Sequence, residues 1–135
     1  MIIGKYFKNT LLIGLSMPII LFVFGVYNGV MQTLYRSGVL QQHATAGIHY
    51  YQGLTMHGVI NAIVLTTFFA VVFGHYTIAH YLKREPPRWT FVTSMILMVL
   101  GAIMAFVIMV LGKASVLYTF YAPLQAAPLF YTGTA

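Results

Sequence analysis

The chain has 135 residues, of which 60% are hydrophobic and 6% charged. A soluble domain carries about a quarter charged residues, so this composition excludes an ordinary water-soluble globule and implies an all-α integral membrane protein. The net charge of +6 rests on seven basic residues; most of them flank apolar runs, as topology and headgroup anchors do, which argues against nucleic acid as a partner.

There is no cysteine. That excludes disulfides within the chain, thiolate metal sites and covalently attached c-type haem. The single acid, Glu85, adjoins Arg84 outside any apolar run, so paired-carboxylate chemistry is closed to this chain alone.

The first apolar run, about residues 9–34, is long enough to cross the hydrocarbon as a helix, which takes roughly 20 residues. Lys5 and Lys8 precede it. It exceeds a signal-peptide core and shows no cleavage site, so it is expected to be a retained anchor. Gly14, Pro18, Gly25 and Gly29 fall at spacings of four, seven and four and share one face. Gly25-x-x-x-Gly29 is a close-packing motif of membrane helices. Asn28 and Gln32 add amides near its far end. A polar and aromatic connection comes next, with Tyr35, Arg36, His43, His49, Tyr50 and Tyr51.

The second run, about residues 52–81, is longer than a bilayer requires and is expected to tilt or project. It ends at Lys83-Arg84-Glu85-Pro86-Pro87-Arg88, where two prolines forbid helix continuation. The third run covers about residues 89–111 with Trp89 at an interface. Ser94, Gly101, Ala105 and Gly112 form a second small-residue stripe. An aromatic loop spans 113–128, and 129–135 reads as the start of a fourth span. The chain forms a single membrane segment without repeats. Five basic residues flank the N-terminus and the Pro-Pro turn, against two elsewhere, so both are expected in the cytoplasm.

Among the histidines, His43 and His49 read as solvated or interfacial, and so do His75 and His80. His57 differs. It lies roughly 7–8 Å inside the outer end of the second span, at 1.5 Å per residue. An ionisable group within a span is a functional candidate. On position alone two readings stand: an interhelical hydrogen bond, or an axial ligand to a haem in a bundle core. Gly53 and Gly58 allow close approach, and Asn61 lies one turn further on.

Residues 50–64, Tyr-Tyr-Gln-Gly-Leu-Thr-Met-His-Gly-Val-Ile-Asn-Ala-Ile-Val, resemble the start of the second transmembrane helix in subunit I of haem-copper oxygen reductases, most closely the B-type branch of bacteria and archaea. Val116-Leu117-Tyr118-Thr119-Phe120-Tyr121-Ala122-Pro123-Leu124 resembles that branch's connection between its third and fourth helices, although the family usually has a double proline there. The resemblance covers roughly residues 50–125.

It implies that the chain is the N-terminal, three-helix part of a bundle of twelve or more helices, as a split or truncated subunit. It further implies a low-spin haem held by His57, with the second axial histidine on a partner chain. Gly53, Gly58 and Asn61 would pack on that haem or support its ligand. The high-spin haem and the copper centre would lie beyond this chain. The implied partners are the remaining part of subunit I, subunit II, small membrane subunits and lipid. The electron donor would be cytochrome c, another small redox protein or quinol. The implied setting is a prokaryotic plasma membrane and the implied reaction is reduction of oxygen to water with proton translocation. The competing expectation is a structural or assembly subunit that binds no cofactor; an unrelated three-span transporter module is a weaker one.

Overall fold

The structure, a computed structural model, describes residues 4–40 and 49–135. The expectation for His43 lies outside the described residues. Helix α1 runs Lys5–Arg36. Helix α2, Tyr50–Gly58, continues through a π-helical segment, Val59–Val64, into α3, Leu65–Leu82. Helix α4 is Arg88–Val110 and a short α5 is Pro128–Thr134. The first helix, the α2–α3 rod and α4 are each long and apolar enough to cross a membrane, at 32, 33 and 23 residues. Without water to satisfy amides, a spanning segment must close its hydrogen bonds internally, and a helix does so.

Helix α1 buries Phe7, Leu11, Gly14, Pro18, Leu21, Gly25, Asn28 and Gln32. These alternate steps of four and three, the 3.5-residue repeat that lets two helices keep one seam in contact. The opposing rod buries Met56, Ile60, Val64, Phe68 and Val72, every fourth residue. In an uninterrupted α-helix each such step overshoots a full turn by about 40°. The wider π turn, in which Leu65 N–H donates to Ile60 C=O, takes up part of that drift. The hydrophobic pattern alone reads as one continuous helix; the π turn is a departure from it.

Two apolar clusters result. One lies toward the Pro86–Pro87 end and joins Phe7, Leu11, Val72, Ala79, Phe91 and Met95. The other surrounds Met56, Val59, Ile60, Ala105, Met109, Val116 and Phe130. Gly14 sits against Met95 and Val72, where a Cβ would stand 2.9 and 3.0 Å from their side-chain carbons. The second small-residue stripe is only partly an interface. Gly101 meets the backbone of Gly133 in α5, where an added Cβ would lie 2.8 Å from the Gly133 carbonyl, and Ala105 is buried. Ser94 is exposed and donates to Thr90 C=O in its own helix at 2.8 Å.

At the turn, Glu85 has a role the sequence does not reveal. Its carboxylate accepts from Gly4 N–H, at the head of α1. A negative charge there complements the helix dipole and satisfies an orphan amide. Tyr6 O–H donates to Pro86 C=O at 3.2 Å, and the Arg88 guanidinium lies 5.5 Å from the Tyr6 ring centre. His80 is exposed. His75 is half-buried: Nδ1 pairs with Val71 C=O at 2.8 Å and the ring packs on Phe91.

At the other end, residues 111–127 fold back over α2 as a cover. Ala114 and Ala126 pair in an antiparallel bridge, and Tyr121 N–H donates to Val116 C=O at 2.8 Å. Many large apolar side chains on the outer faces of the helices remain exposed, Leu12, Ile20, Phe69, Phe73 and Leu97 among them. They suit lipid or further helices, as a membrane segment requires.

Candidate functional site: an imidazole held by one nitrogen

His57 is the penultimate residue of α2 and is half-buried against α1. Its Nδ1 lies 2.8 Å from the backbone oxygen of Gly25. A carbonyl has no proton to give, so Nδ1 must carry one and donate it. A neutral imidazole has only one ring proton. Nε2 is therefore left with its lone pair, and no hydrogen bond reaches it among the described residues.

The close approach depends on glycine. A Cβ on Gly29 would stand 2.6 Å from both Cε1 and Nδ1 of His57, and a Cβ on Gly25 would collide with the Asn61 amide. The Gly25-x-x-x-Gly29 motif thus packs the helices and also makes the notch that receives the ring. Asn61, inside the π segment, brings its amide to 3.1 Å from Nδ1.

A cavity of about 270 Å³ lies beside His57, lined by Leu54, His57, Gly58, Asn61, Ala62, Leu117 and Tyr118. Three of the four residues singled out in the sequence meet here: His57, Gly58 and Asn61. Gly53 is buried four residues earlier and lies outside these walls. Tyr118 packs on Gly58, where a Cβ would come within 3.0 Å of its Cβ and Cδ1. The sequence does not mark Leu117 and Tyr118 as walls, although the motif containing them stands out. Their placement depends on Thr55. This fully buried hydroxyl donates to Tyr51 C=O at 2.7 Å and accepts from Leu117 N–H at 2.9 Å. Gln52 adds a second tie: its Oε1 accepts from His49 N–H, and its Nε2 donates to Gly112 C=O.

The donor set suits a haem iron with one axial imidazole. With Nδ1 donating to Gly25 C=O, a neutral ring offers Nε2 as its lone-pair donor, and apolar walls adjoin the ring. Among the described residues no three His, Cys, Asp or Glu side chains gather to hold a metal ion.

Fold and site together define a multi-pass membrane protein built around a histidine anchored at a helix seam. The family model for cytochrome c and quinol oxidase polypeptide I matches residues 10–135, and the chain belongs to that family. It is 41% identical over 86 residues to cytochrome c oxidase subunit 1 of Thermus thermophilus, a match covering 64% of this chain and 15% of the relative. It also superposes on a chain of a heme-copper terminal oxidase dimer solved by electron cryo-microscopy. There the TM-score is 0.92 and the identity 45%, over 98% of this chain and 23% of the other. The chain thus spans a minor part of the length of both relatives, and it matches the N-terminal part of a haem-copper oxidase subunit I.

Proposed function

We propose that this chain supplies one axial ligand, His57, to a low-spin haem of a terminal oxidase, the second ligand coming from the remaining part of subunit I. The observation that supports this most is the bond from Nδ1 to Gly25 C=O. Metal-bound histidines commonly donate the other ring N–H to a carbonyl or carboxylate, which fixes the tautomer and strengthens the donor nitrogen. A haem with imidazole on both faces passes single electrons and keeps no open position for oxygen. The chain's own part is to fix the ring, to seal one side of the site with Leu117 and Tyr118, and to exclude water with apolar walls.

In this reading the complex belongs to the B-type branch and lies in a prokaryotic plasma membrane. It reduces oxygen to water and translocates protons, with the high-spin haem and copper held outside this chain. Subunit II, small membrane subunits and lipid surround it, and electrons arrive from cytochrome c, a small redox protein or quinol. Lys5, Lys8, Lys83, Arg84 and Arg88 mark the cytoplasmic end by the positive-inside rule. A membrane-impermeant amine reagent that labels Lys83 from outside would overturn that orientation.

The deciding experiment is His57→Ala in the assembled complex. The low-spin haem absorption band is expected to disappear. A second reading, an assembly subunit without cofactor, draws on the same bond, because a purely structural histidine would also bridge to Gly25. It predicts an unchanged spectrum in an intact complex, and that result would sink the ligation proposal.

A further inference from the structure

Ligation of a haem by His57, on which this inference rests, leaves the Asn61 amide unexplained. Asn61 lies in the π segment, and one end of its amide comes within 3.1 Å of His57 Nδ1. That nitrogen already donates its only proton to Gly25 C=O at 2.8 Å. An NH₂ group facing it would set donor against donor, whereas an oxygen there shares the proton. The two ends of an Asn amide have the same shape, and the hydrogen-bond network decides between them. The structure sets Nδ2 of the amide toward Nδ1; exchanging the two ends turns the oxygen there instead. Without that exchange the oxygen is buried at Gly25 with no hydrogen-bond partner, where an added Cβ would collide with it. Orphaned buried polar atoms are rare and each calls for a reason. Here the proton on Nδ1 supplies one.

We propose that Asn61 is a positioning residue for His57: its amide oxygen shares the Nδ1 proton with the Gly25 carbonyl and so sets both the ring orientation and the basicity of Nε2. A second acceptor on Nδ1–H draws the proton outward and leaves Nε2 a stronger donor. A stronger donor favours the oxidised, more highly charged iron. The Asn61 oxygen therefore holds the midpoint potential of the haem down, and removing it raises the potential. Four residues after the ligand, Asn61 lies on the same face of the helix, and the notch at Gly25 leaves room for its amide.

The test is a redox titration, followed optically, of the low-spin haem in the assembled complex. Asn61→Leu and Asn61→Ala are compared with the unaltered protein, with His57→Ala alongside. Leucine keeps most of the volume and removes the acceptor, so it separates hydrogen bonding from packing. Both Asn61 variants should keep the haem and favour its ferrous form about tenfold more, an upward shift of about 59 mV for one electron. Full haem content with an unshifted potential in Asn61→Leu overturns this inference and leaves the ligation standing. If the leucine variant fails to assemble, the alanine variant decides by the same criterion. A low-spin band that survives His57→Ala overturns the ligation and this inference together.

Discussion

At the Pro86–Pro87 end, the polar groups that join α1 to its neighbours close on one another: Gly4 N–H on Glu85, Tyr6 O–H on Pro86 C=O, Arg88 over the Tyr6 ring. At the His57 end the corresponding groups close only in part. Asn28 donates to Phe24 C=O and to Met56 Sδ, Gln32 donates to Tyr50 C=O, and His57 donates to Gly25 C=O. Yet Gln32 Oε1, Tyr35 O–H and one end of the Asn61 amide are buried without partners, and Nε2 of His57 is free among the described residues. A buried polar group left unpaired costs about 1–3 kcal/mol. Among the described residues one end carries several such groups and the other carries none. Among the described residues, then, the clasp at the Pro86–Pro87 end is closed and the His57 end is not.

The sharpest way to break this contrast is to fill the notch. Gly29→Leu places a side chain where even an added Cβ would stand 2.6 Å from the imidazole. It should expel the ring and abolish the low-spin haem band, measured in membranes from cells expressing the variant. An unchanged band would mean that the ring does not need α1.

Thr55→Val comes next. It strands Leu117 N–H, a part-buried donor whose acceptor is the Thr55 hydroxyl. The expected cost is about 1–3 kcal/mol, read as a lower melting midpoint of the complex. The haem spectrum should also shift, because Leu117 and Tyr118 line the His57 cavity. A stability loss without any spectral change would separate the cover from the site.

Glu85→Gln should have the smallest effect, about 0.3–1 kcal/mol from the lost charge at the head of α1. It should leave the haem spectrum untouched. A spectral change on this substitution would show that the two ends are coupled and would dissolve the contrast between them.

Legibility in the sequence differs by element. The three apolar helices can be read there, because a span must carry a continuous run of apolar residues whatever packs against it. His57 stands out for the same reason: an imidazole inside such a run is conspicuous without any structure. The packing stripe on α1 can be read too, since Gly14, Pro18 and Gly25 announce close approach by their size, and all three are buried. Ser94 shows the limit of that logic, for a small residue also fits a face that touches nothing.

The remaining features depend on groups distant in the chain. Glu85 meets Gly4 across 81 positions, and Thr55 meets Leu117 across 62. The π turn takes up part of the drift between two helices that keep a common seam. Most of all, the sequence places an imidazole at His57 but does not say which nitrogen is free. That is decided by a carbonyl 32 residues earlier, at Gly25, which can only accept. Composition and periodicity are properties of the chain and determine what spans the membrane. The tautomer of His57 is a property of one contact, and it exists only once α1 and α2 are packed together.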